Sequence, residues 1–205
     1  MSCAPFAILA SGTGSNALAI HDAVLAGAIV APLACIVSDR ADAPVLERGR
    51  ERGIETVLVD RAAYDDRDTY EGVLVDELRL RGVEHVVLAG YMRICGPVFL
   101  EAFAGRAINL HPSLLPDFPG RDAIGDALDA GVTRSGVTVH FIDSGIDTGP
   151  VICQAAVDVR PDDTRDTLAR RIHAVEHAVL PRVVAALVRG EIDSPFHHPV
   201  TMEVT

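Results

Sequence analysis

Residues Phe6 to Ala10 form a short apolar run that breaks into Ser11-Gly12-Thr13-Gly14-Ser15-Asn16, after which Ala17, Ile20 and Val24 recur at helical spacing. A strand that enters a helix through a tight glycine turn leaves few folds open, because it seeds a parallel sheet with helical crossovers. The first half of the chain repeats the alternation. Strands are expected near Leu33 to Ser38, Thr56 to Val59 and His85 to Ala89, with helices near Pro44 to Arg52 and Arg67 to Arg81.

The second half changes character. After a short strand at Ala107 to Leu110, the segment up to Gly120 carries Pro112, Pro116 and Pro119 without periodicity, as an ordered functional loop does. A short helix near Ala123 to Ala130 precedes two β-rich runs, Ser135 to Ile142 and Val151 to Val157. The eight residues that join them are few enough for an antiparallel pair. A long helix from Thr164 to Val188 closes the pattern, with Asp162, Asp163 and Thr164 as cap candidates and Gly190 beyond its end. The reading is one α/β domain over residues 1–190 and a tail over 191–205, with no repeat or linker.

Composition narrows the function. A chain of 205 residues, 49% hydrophobic, can bury a full core, and its net charge of −11 opposes binding to nucleic acid or to anionic membrane surfaces. All 18 basic residues are arginine, which removes Schiff-base lysines and the lysine of a P-loop. Cys3, Cys35, Cys95 and Cys153 are too scattered for a metal or redox motif and read as reduced, mostly buried thiols. With no basic leader and no apolar stretch of the ~18 residues that a membrane span needs, a cytoplasmic protein is expected.

Three constellations carry chemistry. The turn Gly12 to Ala17 offers bare backbone N–H groups at the positive end of a helix dipole, where a phosphate is held, with Ser15 and Asn16 as further donors. It also fits G-x-G-x-x-A, with Asp39 placed for a ribose, so a nicotinamide-nucleotide module stays open. Period-two alternation sets Asn109 and His111 on one side of a strand end, at the carboxyl edge where open α/β sheets bind ligands. An amide donor beside an imidazole suits an oxyanion and proton movement near neutral pH. Asp147 is placed to pair with His111, with Asp143 in the same loop as its rival. The third constellation is His173-x-x-Glu176-His177, a zinc-like pattern whose further ligand would have to come from Glu191, Asp193, His197, His198 or Glu203; a surface or groove-facing helix is the simpler reading.

Taken together, the stretches 10–16, Leu88-Ala89-Gly90-Tyr91-Met92-Arg93-Ile94, Ile108 to Pro116, Gly136 to Phe141, Asp147 to Ile152 and Glu176-His177 resemble the folate-dependent phosphoribosylglycinamide formyltransferases over nearly the whole chain. The resemblance implies a Rossmann-like, three-layer α/β fold on a mixed seven-stranded sheet, parallel in the N-terminal half with antiparallel strands in the C-terminal half. Residues 1–105 would bind phosphate, and 106–190 would carry folate and catalysis. It implies Gly14, Ser15, Asn16 and Glu176 as ligands of the ribonucleotide. Arg67, Met92, Arg93, Ile94, Cys95, Asn109 and Asp143 would be ligands of 10-formyltetrahydrofolate, and Asn109, His111 and Asp147 the catalytic trio.

The implied co-substrate is that folate, with no metal, no nucleic acid and no membrane, in a monomer or homodimer. Asp117, Asp122 and Cys95 depart from the residues expected at their positions. The related methionyl-tRNA formyltransferases and formyltetrahydrofolate deformylases carry an additional domain that this length does not accommodate.

Overall fold

The computed structural model describes residues 4–192. Cys3 and most of the expected tail lie outside them.

Strands β1 (Phe6–Leu9), β2 (Leu33–Ser38), β3 (Thr56–Leu58), β4 (His85–Leu88), β5 (Ala107–His111), β6 (Arg134–Phe141) and β7 (Val151–Asp158) build one sheet in the order β3-β2-β1-β4-β5-β6-β7. The first five run parallel, and β6 and β7 are antiparallel additions. Helices α1 (Ser15–Leu25), α2 (Pro44–Glu51), α3 (Arg67–Leu80), α4 (Pro97–Ala102), α5 (Ala123–Asp129) and α6 (Arg165–Val188) connect or follow them. None among the described residues is long and apolar enough to cross a membrane.

Successive side chains of β1 point to opposite faces, which is why its four residues are all buried and all apolar. Phe6 and Ile8 join Ile36, Val87 and Ile108 in a cluster closed by α1 and α6 residues such as Ile20, Ile172 and Val183. Ala7 and Leu9 join Cys35, Val37 and Leu88 beneath Leu74 and Leu78 of α3 and Phe99 of α4. The sheet is thus the middle of three layers.

Sequence boundaries hold to within a residue or two, and the caps explain why. Thr164 accepts from the Thr167 N–H while the Thr167 hydroxyl accepts from the Thr164 N–H, a capping box that starts α6, and Gly190 follows its end at φ +70°. Helix α4 was not expected from the sequence. Asp122 proves to be the N-cap of α5, accepting from the Gly125 N–H and pairing with Arg165, which gives this departure a structural role.

The chain moves from β1 outward to β3 and returns to the other side of β1 at β4. This switch point opens a crevice beyond the carboxyl ends of β1 and β4. Ser11 and Gly90 face each other there, with the Ser11 N–H donating to the Gly90 carbonyl at 3.0 Å.

Candidate active site

Strand β5 delivers Asn109 and His111 to the same side, as period two requires, and Asp147 in the β6–β7 loop meets both. Its Oδ2 lies 3.3 Å from His111 Nδ1, and its Oδ1 accepts from Asn109 Nδ2 at 3.2 Å. The Gly120 N–H donates to Oδ2 at 2.8 Å. Asp147 sits at φ +54°, a left-handed conformation that aspartate and asparagine adopt more readily than most residues. Burial works against its ionised form, but the His140 imidazole, the Gly120 N–H and the nearness of His111 outweigh it and leave the carboxyl below its ordinary range. Of the two acids in this loop, Asp147 is therefore the partner of His111. Asp143 is exposed and accepts from the Gly145 N–H and the Thr148 hydroxyl, stapling the loop.

A fourth side chain completes the cluster. His140 stands opposite Asn109 in the β5–β6 register, with its Nε2 3.2 Å from Asn109 Nδ2 and 3.6 Å from Asp147 Oδ1. Its Nδ1 donates to the Phe141 carbonyl at 2.8 Å, and its Nε2 faces both Asn109 and Asp147: bare, it accepts an Asn109 N–H, and protonated, it donates to the carboxylate. With Nε2 bare, both amide hydrogens of Asn109 are engaged. His111 Nε2 donates to the Phe118 carbonyl at 2.8 Å, from a loop residue held at φ +53°. That loop is pinned to β6 through Thr138, whose hydroxyl donates to the Ser113 carbonyl and accepts the Leu115 N–H.

The glycine turn lies at the other end of the crevice. Gly14 caps α1 at φ +74° without any side-chain hydrogen bond, leaving the first N–H groups of the helix open to a ligand. A side chain at Gly14 would run into Val45, so the close approach of α2 requires glycine here. Asn16 Nδ2 donates to Glu176 Oε2 at 2.8 Å, and His173 Nδ1 reaches the same oxygen at 2.8 Å. The carboxylate of Glu176 is buried, and its hydrogen bond raises the pKa of His173. The zinc-like pattern thus resolves into a carboxylate shared by His173 and Asn16, with His177 exposed. Among the described residues no three His, Cys, Asp or Glu side chains gather as a metal ion requires. Asp193, His197, His198 and Glu203 lie outside them.

Against α3 and the start of α4 lies a cavity of about 100 Å³, lined by Arg61, Arg67, Tyr70, Glu71, Arg93 and Cys95 among others. Ile94 also lines it, whereas Met92 is an exposed neighbour. Burial pushes the Cys95 thiol up to about 12, with Glu71 adding to the effect, so it is no nucleophile at neutral pH. Asp39 is buried, with one oxygen accepting from the Ser11 hydroxyl at 2.5 Å and the other from Arg93 Nε at 2.6 Å. Both oxygens are committed inside the protein, which removes the ribose-binding acid of the nicotinamide reading. Sequence reasoning missed Glu71, whose oxygens accept the Gly96 and Phe99 N–H groups at the start of α4. It also gave no role to His140, which only the strand register places beside Asn109.

The formyl transferase family profile matches residues 4–184. The phosphoribosylglycinamide formyltransferase of Bacillus subtilis (strain 168) is 43% identical over 190 residues, covering 91% of this chain and 97% of that protein. The Escherichia coli (strain K12) protein of the same name is 40% identical over 185 residues, covering 90% and 87%. The crystal structure of glycinamide ribonucleotide transformylase 1 from Symbiobacterium toebii superposes with a TM-score of 0.90 at 44% identity, covering 92% of this chain and 89% of that one. By sequence and by fold alike, the chain belongs to the formyl transferase family.

Proposed function

We infer that this chain transfers the formyl group of 10-formyltetrahydrofolate to the amine of N1-(5-phosphoribosyl)glycinamide, giving formylglycinamide ribonucleotide and tetrahydrofolate. The observation that carries the reading is Asp147, an ionised carboxylate fixed by Gly120 and Asn109 and set against His111. The names and near-complete coverage of the relatives support the choice of substrates.

In this mechanism the amine nitrogen bonds to the formyl carbon, the carbonyl oxygen becomes an oxyanion, and the bond to N10 of the folate then breaks. The proton lost by the amine is taken up at N10, so no covalent enzyme intermediate is needed. Asp147 is the acceptor for that proton, directly or through His111, and keeps the imidazole oriented. The Nε2–H of His111 exchanges the Phe118 carbonyl for the formyl oxygen, and Asn109 supplies a second donor by releasing one of its two internal bonds. Each such donor is typically worth about 2.7–4 kcal/mol. Gly14, Ser15 and Asn16 hold the phosphate, Glu176 takes the ribose hydroxyls, and Arg67, Met92, Arg93, Ile94, Cys95, Asn109 and Asp143 contact the folate.

A spectrophotometric assay with the ribonucleotide and a 10-formyl folate, each omitted in turn and with EDTA in a parallel run, tests this. Release of the deformylated folate that requires the ribonucleotide and ignores EDTA is expected. Release without the ribonucleotide identifies a hydrolase instead.

A further inference from the structure

We propose that Asp39 is a positioning residue for the folate side of the crevice, holding Arg93 by its Nε so that both terminal nitrogens of the guanidinium are left for the ligand; this rests on the formyl-transfer reading above. Asp39 follows directly on β2, at the carboxyl end of the sheet, and is 1% exposed. The transfer steps above make no use of its carboxylate. An ionised group taken out of water is kept only where partners compensate it.

Those partners all belong to the walls of the crevice. Oδ2 accepts from Arg93 Nε at 2.6 Å, and Oδ1 accepts at 2.5 Å from the Ser11 hydroxyl, whose oxygen in turn accepts the Met92 N–H. The Asp39 main-chain carbonyl accepts the Arg61 N–H at 3.1 Å. One residue thus fixes the Arg93 side chain, the backbone one residue before it and the start of the turn that brings Arg61 to the same cavity.

The Arg93 bond gives Asp39 more than a structural part. A carboxylate that met the guanidinium squarely would take two of its N–H groups in a fork. Here Asp39 engages Nε alone, and Nη1 and Nη2 have no acceptor among the described residues. Glu71, the other acid at the cavity, is spent on the Gly96 and Phe99 N–H groups. The Arg93 side chain is 46% exposed, so without Asp39 its long stem would sample several rotamers. Asp39 removes that freedom before a ligand arrives.

Calorimetric titration of the folate analogue 10-formyl-5,8-dideazafolate into the wild type, Asp39→Asn, Arg93→Gln and the double variant, with steady-state kinetics on each, tests the proposal. Asp39→Asn should weaken folate binding about tenfold and raise the folate KM to match, with turnover at saturating folate and the KM for the ribonucleotide within about twofold of wild type. In the Arg93→Gln background the same substitution should cost nothing further, because the group through which Asp39 acts is gone. Equal losses in both backgrounds, or an unchanged affinity in Asp39→Asn, overturn the proposal and leave formyl transfer standing. Arg93→Lys carries a single nitrogen, which Asp39 would hold, so it should bind the analogue no better than Arg93→Gln. Binding by Arg93→Lys as tight as wild type overturns the proposal even where Asp39→Asn fails to fold. If the wild type does not bind the analogue, the formyl-transfer reading falls and this proposal with it.

Discussion

Asn16, at the start of α1, donates a 2.8 Å hydrogen bond to Glu176, 160 residues later on α6. The bond joins the glycine turn to the helix that closes the fold, and His173 binds the same carboxylate oxygen. Because that hydrogen bond raises the His173 pKa, its contribution to stability is fully present below the ordinary imidazole value of about 6.5 and is lost as pH rises through the folded value. His173→Gln should therefore flatten the thermal midpoint between about pH 6 and 8. The amplitude is small, since the side chain is half exposed. Melting curves across that range check it, and an unchanged slope would contradict the pairing.

Asp147→Asn keeps a side chain that tolerates φ +54° and an oxygen for the Gly120 N–H, but it removes the charge. Turnover should fall by about 10²–10⁴ with the fold intact. Steady-state kinetics beside a melting curve separate the two effects.

The depressed Asp147 carboxyl also predicts an acid response. Its stabilisation is present above the unfolded value of about 3.9 and disappears as pH falls through the lower folded value. Unfolding between about pH 2 and 5 should be less steep in pH for Asp147→Asn than for the wild type. Parallel curves would remove the carboxylate from the acid transition.

Gly14→Ala places a side chain against Val45 at φ +74°. It should cost roughly 1–3 kcal/mol in urea unfolding and raise the KM for the ribonucleotide. Adding Val45→Ala should relieve the clash while leaving the backbone penalty, a partial recovery that the same titration reads.

Glu71→Gln leaves α4 with one acceptor where two N–H groups need one each. The expected loss is about 1–3 kcal/mol, with weaker folate binding because the segment from Met92 to Cys95 leads into that cap. An unaltered folate Kd would limit Glu71 to stability.

Much of this arrangement is legible in the amino-acid sequence. The strand and helix periods, the glycine turn and the caps at Thr164 and Gly190 are local signals, and the elements followed them. Asn109 and His111 were legible because alternation along five residues of strand decides which way they point. What escaped depends on pairing across the chain. Helix α4 is six residues long, and its N–H groups are capped by an acid 25 residues upstream of Gly96, so no nearby residue announces it. His140 sits in an ordinary β run until the antiparallel register sets it opposite Asn109. Arg61 lies in an isolated 3₁₀ turn with no periodic pattern, and only the cavity gathers it with Arg67 and Arg93.

The Ser11 hydroxyl donates to Asp39 and accepts the Met92 N–H at 2.9 Å, bridging 81 residues of sequence. One oxygen atom thus ties the entry to the glycine turn to the segment that leads into the cavity-lining residues Arg93, Ile94 and Cys95. The exchange of the Met92 amide with deuterium is consequently a built-in gauge of how firmly the two halves of the crevice are held together.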